Sequence, residues 1–264
     1  MAKQAKRYAK SPIDARKSER RKRKSNNNKM QNILLIIFIV IFLVSGFILL
    51  KWFLDTNKSD DTYKELAQEV VSVNEENSDE NIIDFEKLKS INPDVVAWIK
   101  IDGTTINYPV MKTTDNNYYL KKNFYKEYDT CGSLFLDYKS NSTDKNIVIY
   151  GHNIKRGIMF ADLENIANGK LGNNINIELY MPDRKMNFKV FSSYNIDPEN
   201  YAINTSIAGN GLDEFKTTLK ERSSMDFESE YDNTNQVLTL STCDRTGKKR
   251  VLVHAGLEEI RYNQ

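Results

Sequence analysis

The stretch Gln236-Val-Leu-Thr-Leu-Ser-Thr-Cys243-Asp-Arg-Thr-Gly-Lys-Lys-Arg250-Val-Leu-Val-His-Ala-Gly-Leu257 decides the fold. Gln236–Ser241 and Arg250–Leu257 are β-branched or leucine-rich runs, the composition that suits a pleated, half-buried surface. A polar loop containing Gly247 joins them, so they read as the last two strands. If they pair as a hairpin, Cys243 and Arg250 fall at the same end of it, which follows from geometry and is not in itself a sign of catalysis. Cys243 stands where an apolar strand runs out into polar loop, at the rim of a sheet. Free cysteine also occurs as a small buried hydrophobe, and local sequence leaves both readings open.

Upstream of this hairpin the chain repeats the same short period. Val95–Ile101 and Thr105–Val110 flank Asp102-Gly103, a hairpin signal. Ser133–Tyr138, Ile147–Tyr150, Ile175–Met181 and Met186–Tyr194 are further strands, with Asp183-Arg184 as a tight turn between the last two. Met159–Ala167 predicts a short helix. Gly211–Arg222 predicts a longer one, with Leu212, Phe215 and Leu219 on one face. No internal repeat occurs. Many short strands with a few helical insertions predict a mainly β fold, a closed or nearly closed barrel. The 14 Tyr and 12 Phe, in a chain that is 40% hydrophobic, agree with a β-rich core.

The first 95 residues differ. Residues 1–30 hold 12 Lys or Arg against Asp14 and Glu19, so the net +2 of the 264-residue chain hides a remainder of −8. Ile33–Leu50 is 18 residues without a charge, nearly long enough at about 1.5 Å per residue to span a hydrocarbon core of about 30 Å. Lys51 can snorkel, and Trp52 and Phe53 suit the interface. A cleaved signal peptide would have a shorter apolar region and a small-residue cleavage site, and none stands between Gly46 and Asn57. The reading is a basic cytoplasmic tail over 1–30, an uncleaved signal anchor over 31–54, a helical linker over 55–83 and the main folded domain over 84–264 outside the cell. The basic tail faces anionic lipid rather than nucleic acid. Within 59–80, Tyr63, Leu66, Val70 and Val71 recur at helical spacing, predicting an amphipathic helix that begins near Asp60 with Ser59 or Asp60 as cap. Asp84–Ile91 predicts another helix, limited by Pro93.

The groups that could carry chemistry are few. His152 follows Ile147-Val-Ile-Tyr-Gly151, again at a strand end; the other histidine, His254, sits mid-strand and reads as structural. A cysteine nucleophile needs a proton partner, and acyl transfer needs a donor for the developing oxyanion. Cys243, His152 and Arg250 supply these types jointly, whereas each alone is more often a core thiol, a structural imidazole or a surface charge. Two cysteines are too few for a disulfide-stapled secreted domain. Cys131 reads as a bystander, the alternative being a disulfide with Cys243. Two His and two Cys far apart make a poor zinc set, so no metal is implied. No phosphate-cradling loop and no calcium loop occur, so no cofactor is implied.

These residues resemble the sortase family, and within it the class B sortases. Thr239-Leu-Ser-Thr-Cys243 is similar to the nucleophile signature, and Tyr150-Gly-His-Asn153 with Met159-Phe-Ala-Asp-Leu163 to the class B histidine segment. Asn92-Pro-Asp-Val-Val-Ala-Trp-Ile99 with Tyr108-Pro-Val110, and Gly132-Ser-Leu-Phe-Leu-Asp137, resemble other family blocks. The likeness covers about residues 85–258. It implies a closed barrel of about eight strands with N-terminal helices and an inserted helix before the nucleophile strand, which Gly211–Arg222 fits. It implies cleavage of a C-terminal sorting signal after Thr, often within Asn-Pro-x-Thr-x, through a thioester, and transfer of the surface protein to an amine of peptidoglycan or its lipid-linked precursor. By motif, Cys243 is the nucleophile, His152 the acid/base and Arg250 the electrophilic donor. Arg250 is chosen over Arg245 because it directly precedes Val251-Leu-Val253; the loop holding both is short for class B. Asp244, through a backbone N–H near it, and Thr242, Ser241 and Asn153 are the oxyanion or substrate-adjacent residues. An exported hydrolytic cysteine protease and a non-catalytic tethered surface protein are the alternatives. An L,D-transpeptidase would place His and Gly before its Cys, where Ser241-Thr242 stand.

Overall fold

A computed structural model describes residues 12–73, 81–200, 205, 207, 211–244 and 246–263. The chain divides into two compact units, Met1–Leu54 and Asp55–Gln264. Helix α1 is Pro12–Val70. In the first unit, every large apolar side chain of residues 33–50 is exposed, and this is the one described helix long and apolar enough to cross a membrane. Of the basic tail over residues 1–30, residues 1–11 lie outside the described residues, and residues 12–30 are the start of α1 rather than unstructured chain. In the second unit, Tyr63, Leu66 and Val70 are buried in the main core, as their helical spacing predicts.

No helix begins at Ser59 or Asp60, contrary to the sequence expectation. Both lie inside α1, where Ser59 Oγ donates back to the Asp55 carbonyl at 3.1 Å and to Asp129 Oδ2 at 2.6 Å, and Asp60 pairs with Lys64. Nothing between Gly46 and Pro93 is a glycine or proline that would stop a helix. The helix ends at Val70, short of Glu80, because Val71–Val73 (β1) pairs with Asn81–Ile83 (β2); residues 74–80 lie outside the described residues. Helix α2, Phe85–Ile91, begins one residue later than predicted because Asp84 is its cap, the carboxylate accepting from Lys87 N at 2.8 Å, and Pro93 follows the C-cap Asn92 as expected.

The barrel strands are β3 (Val95–Ile101), β4 (Asn107–Met111), β5 (Leu134–Leu136) and β6 (Asn146–Tyr150). After a small hairpin of β7 (Asn153–Ile154) and β8 (Ile158–Met159) and helix α3 (Asp162–Ala167) come β9 (Asn176–Tyr180) and β10 (Arg184–Ile196). Helix α4 (Gly211–Glu221), β11 (Val237–Cys243) and β12 (Arg250–Tyr262) complete the chain. Eight strands close in the order β10-β12-β11-β6-β5-β4-β3-β9, so the expected closed, mainly β barrel is the observed one. The pairs β4/β5 and β6/β11 are parallel and the rest antiparallel. The β10/β12 pairing carries two bulges, with Phe191 the extra residue in β10 and Glu258 the extra residue in β12, and β10 pairs with β9 along its other edge.

The final strands read as continuous apolar runs for a physical reason. Side chains of a strand alternate between faces, and here both faces are covered. Val251, Val253 and Ala255 enter the main core, while Leu252 joins Phe191, Tyr194 and Val237 under Leu212 and Leu219 of α4. Lys216 is buried too, its Nζ donating to the carbonyls of Asp232 and Thr234. Helix α3 starts three residues later than predicted, because Ile158–Met159 pairs with β7 and Met159 holds φ 57°.

Candidate active site

Strand pairing sets the site. Cys243, the last residue of β11, is directly opposite Arg250, the first of β12. Both are half-buried, and Arg250 Nη1 donates to Cys243 Sγ at 3.2 Å. The loop between them is held by Asp244, whose carboxylate accepts from the Thr246 hydroxyl at 2.7 Å and from Lys248 N and Lys249 N at 2.9 and 3.1 Å. Desolvation pushes the Asp244 carboxyl up, but those hydrogen bonds outweigh it and hold the group below the usual carboxylate range. Gly247, at φ 71°, makes the turn. Asp244 N–H is itself spent on the Lys249 carbonyl at 2.9 Å, so it is not a free oxyanion donor. Arg245 lies outside the described residues.

The parallel pairing of β6 with β11 brings in the histidine segment. Tyr150 is opposite Ser241, and Gly151 N–H continues the ladder to the Ser241 carbonyl at 3.2 Å. His152 therefore leaves β6 beside the end of β11. A Cβ on Gly151 would come 2.3 Å from Leu134 Cδ2 and 2.8 Å from Phe160 Cδ2, so only glycine fits. His152 is half-buried. Its backbone carbonyl accepts from Phe160 N–H at 2.9 Å, and its Nε2 lies 2.8 Å from the Leu120 carbonyl. A carbonyl only accepts, so Nε2 carries a proton and, in the neutral ring, Nδ1 is the free base. Asn153 ties the segment down: its Nδ2 donates to the Cys243 carbonyl at 3.0 Å and to Glu164 Oε2 of α3 at 2.9 Å. Its Oδ1 is buried and has no hydrogen-bond partner among the described residues.

The remaining predicted neighbours differ in position. Ser241 shares the Cys243 face of β11 by alternation, and its Oγ is buried and unpartnered. Thr242 points to the other face, opposite Val251 of the main core, and is fully buried. His254 sits in the sheet, with Nδ1 3.0 Å from Thr239 Oγ1 and its ring stacked on Tyr194. Burial holds its imidazole down at about 3, so it is neutral and structural. Cys131 is free and fully buried, with its thiol pushed up to about 11 by burial; Cys243 is free as well. Among the described residues, no group of three His, Cys, Asp or Glu is placed to hold a metal ion.

Sequence reasoning missed two contributors. The Leu120 carbonyl comes from a 3-10 turn, Tyr118–Leu120, and a backbone group leaves no side-chain signal. Glu164 stands one residue past the Met159–Leu163 block. Tyr150, beside Ser241, donates its hydroxyl to Asp137 Oδ2 at 3.0 Å, and burial, with that carboxylate, pushes its phenol up.

Similarity to known proteins agrees with this arrangement. The sortase domain family matches residues 99–258. Sortase B of Listeria monocytogenes is 30% identical over 221 residues, covering 77% of this chain and 85% of the relative. The structure of Clostridium perfringens sortase B superposes with a TM-score of 0.62 at 32% identity, over 67% of this chain and all of the other. That of Bacillus anthracis sortase B in complex with AAEK1 gives 0.66 at 29% identity, over 78% and 99%. With the barrel, the inserted α4 and these matches in agreement, the chain belongs to the sortase family and, within it, to the class B sortases, which makes it a cysteine transpeptidase.

Proposed function

We propose that this transpeptidase cleaves a C-terminal sorting signal after Thr at Cys243 and joins the surface protein to a cell-wall amine, with His152 moving the protons and Arg250 holding the oxyanion. The observation that carries the reading is the Arg250 Nη1 to Cys243 Sγ contact of 3.2 Å at the strand rim. The contact sets a fixed hydrogen-bond donor and positive charge beside the atom that would attack, where negative charge passes to the carbonyl oxygen. Five N–H groups let Arg250 keep a donor toward sulfur while another meets the oxygen of the reacting carbonyl.

The Cys243 thiol passes its proton to His152 Nδ1, and the resulting thiolate forms a C–S bond to the carbonyl carbon of the sorting Thr as the negative charge moves to oxygen beside Arg250. As the carbonyl re-forms, the C–N bond breaks and His152 gives the leaving amine its Nδ1 proton. The incoming amine then attacks the thioester, returns a proton to Nδ1, and the C–S bond breaks to restore the thiolate. The Leu120 carbonyl keeps Nε2 protonated throughout, so exchange is confined to Nδ1. Asn153 acts as a positioning residue, fixing the His152 segment to the Cys243 backbone. Ser241 lies beneath the sulfur on the same face of β11.

The apolar segment of residues 33–50 is the proposed membrane anchor, with residues 1–30 cytoplasmic and the barrel outside. Substrates are exported proteins with a sorting motif, and the acceptor is an amine of peptidoglycan or its lipid-linked precursor. Transfer is separated from hydrolysis by product partition. With an Asn-Pro-x-Thr-x peptide, adding triglycine as acceptor is expected to divert product from free acid to the amide at a constant rate of peptide cleavage. Free acid alone, at any amine concentration, would make the enzyme a protease.

A further inference from the structure

The barrel end remote from Cys243 holds a cavity with an unusual charge. We propose that the cavity between α2, the residues after β4 and the start of β10 binds a phosphate monoester, its phosphate held by Lys112, Arg184 and Lys89. The cavity measures about 390 Å³. Arg184 opens β10, and Ile196 at the other end of that strand pairs with Arg250 of the active site. The two ends are up to about 40 Å apart at about 3.3 Å per residue.

Residues 55–264 hold 34 Asp and Glu against 25 Lys and Arg, so the domain as a whole repels anions. This cavity reverses the sign. Three cations line it, and Asp183 is the one carboxylate among its lining residues. Asp183 is exposed and paired with Arg184 Nη1 at 2.7 Å. Lys112 is half-buried, yet among the described residues its Nζ is held by neutral acceptors, the Ser140 carbonyl at 2.6 Å and Asn141 Oδ1 at 2.8 Å. Those bonds aim the ammonium without neutralising it. Arg184 is similarly braced by Ser142 Oγ on Nη2 at 3.0 Å. Two positive charges therefore remain uncompensated, and they match the charge of a phosphate monoester near neutral pH, about −1.5 to −2. The guanidinium fork suits phosphate oxygens. Below the cations, Val95, Leu136 and Met181 form a buried apolar floor that would take the body of the ester.

Titration of the full chain in neutral-lipid nanodiscs with glycerol 3-phosphate, read by calorimetry, tests the site. Saturable binding is expected, weakened about tenfold or more by Lys112→Gln and by Arg184→Gln, several-fold by Lys89→Gln, and untouched by Cys243→Ala. Lys89 is exposed, so its variant tests the site even if Arg184→Gln unfolds the barrel. Acetate is expected to bind at least about tenfold more weakly. Affinity unchanged in the Lys112 and Lys89 variants, loss of binding in Cys243→Ala, or equal affinity for acetate would each overturn the proposal. Repetition in nanodiscs holding phosphatidate identifies the source: competition assigns the ester to a lipid headgroup, undiminished binding to a soluble ester, and either result supports the site.

Discussion

At the scale of single residues, Arg250 is asked to do most. It reaches the sulfur at 3.2 Å, whereas Asp244 N–H is already bonded to the Lys249 carbonyl. Removing one such donor typically costs about 10²–10³ in turnover. Arg250→Ala is therefore expected to lower kcat for peptide cleavage by about that factor, with the melting temperature little changed. Arg250→Lys should recover only part, since an ammonium lacks the planar fork. Steady-state kinetics on the three proteins checks this, and wild-type turnover in Arg250→Ala would remove the arginine from the mechanism. That Cys243 and Arg250 meet was legible in the sequence, since two apolar runs joined by a polar loop force their facing ends together. The Leu120 carbonyl was not legible. Its place beside His152 depends on a loop far away in sequence, and it offers only a backbone atom.

Elements explain how the histidine reaches that hairpin. Strand β6 lies parallel to β11, so the two chains leave the barrel wall on the same side, and Gly151 lets β6 end against Leu134 and Phe160. Both neighbours are fully buried, and the Phe160 ring is stiff. Gly151→Ala should cost about 1–3 kcal/mol by overpacking, measurable by denaturant unfolding. Activity should fall further than stability accounts for, because the added methyl displaces the His152 backbone. A variant as stable and active as the wild type would show that the glycine is incidental. Strand existence was legible from short β-branched runs, and α4 from its apolar face. The α1 boundary was misread because Ser59 looks like a cap, whereas its hydroxyl serves Asp55 and Asp129 instead. The β7/β8 hairpin, two residues per strand, is too short to carry a period.

The whole molecule couples this wall to pH through His254. Folded, its imidazole stays neutral down to about 3; unfolded, it takes a proton near its ordinary value of 6.5. Between those limits the unfolded chain binds more protons, so stability rises with pH and is lost as pH falls from about 6.5 toward 3. Thermal melting between pH 6.5 and 5, above most carboxylate titration, should show this slope in the wild type and a flatter one in His254→Gln. Equal slopes would mean that His254 is protonated or open to solvent in the folded state. A closed or nearly closed barrel was legible from the many short strands, while the count of about eight strands and the place of the inserted helix came from the family likeness. The charge split between residues 1–30 and the remainder, by contrast, was plain from counting.

The most direct test is a mass measurement on the sulfur. The full chain is mixed with an Asn-Pro-x-Thr-x peptide library, quenched in acid and weighed intact, then mapped by fragmentation. A hydroxylamine-sensitive adduct ending in Thr is expected on Cys243, absent from Cys243→Ala, which also cleaves no peptide. An adduct on Cys131, or cleavage that survives in Cys243→Ala, would contradict the account.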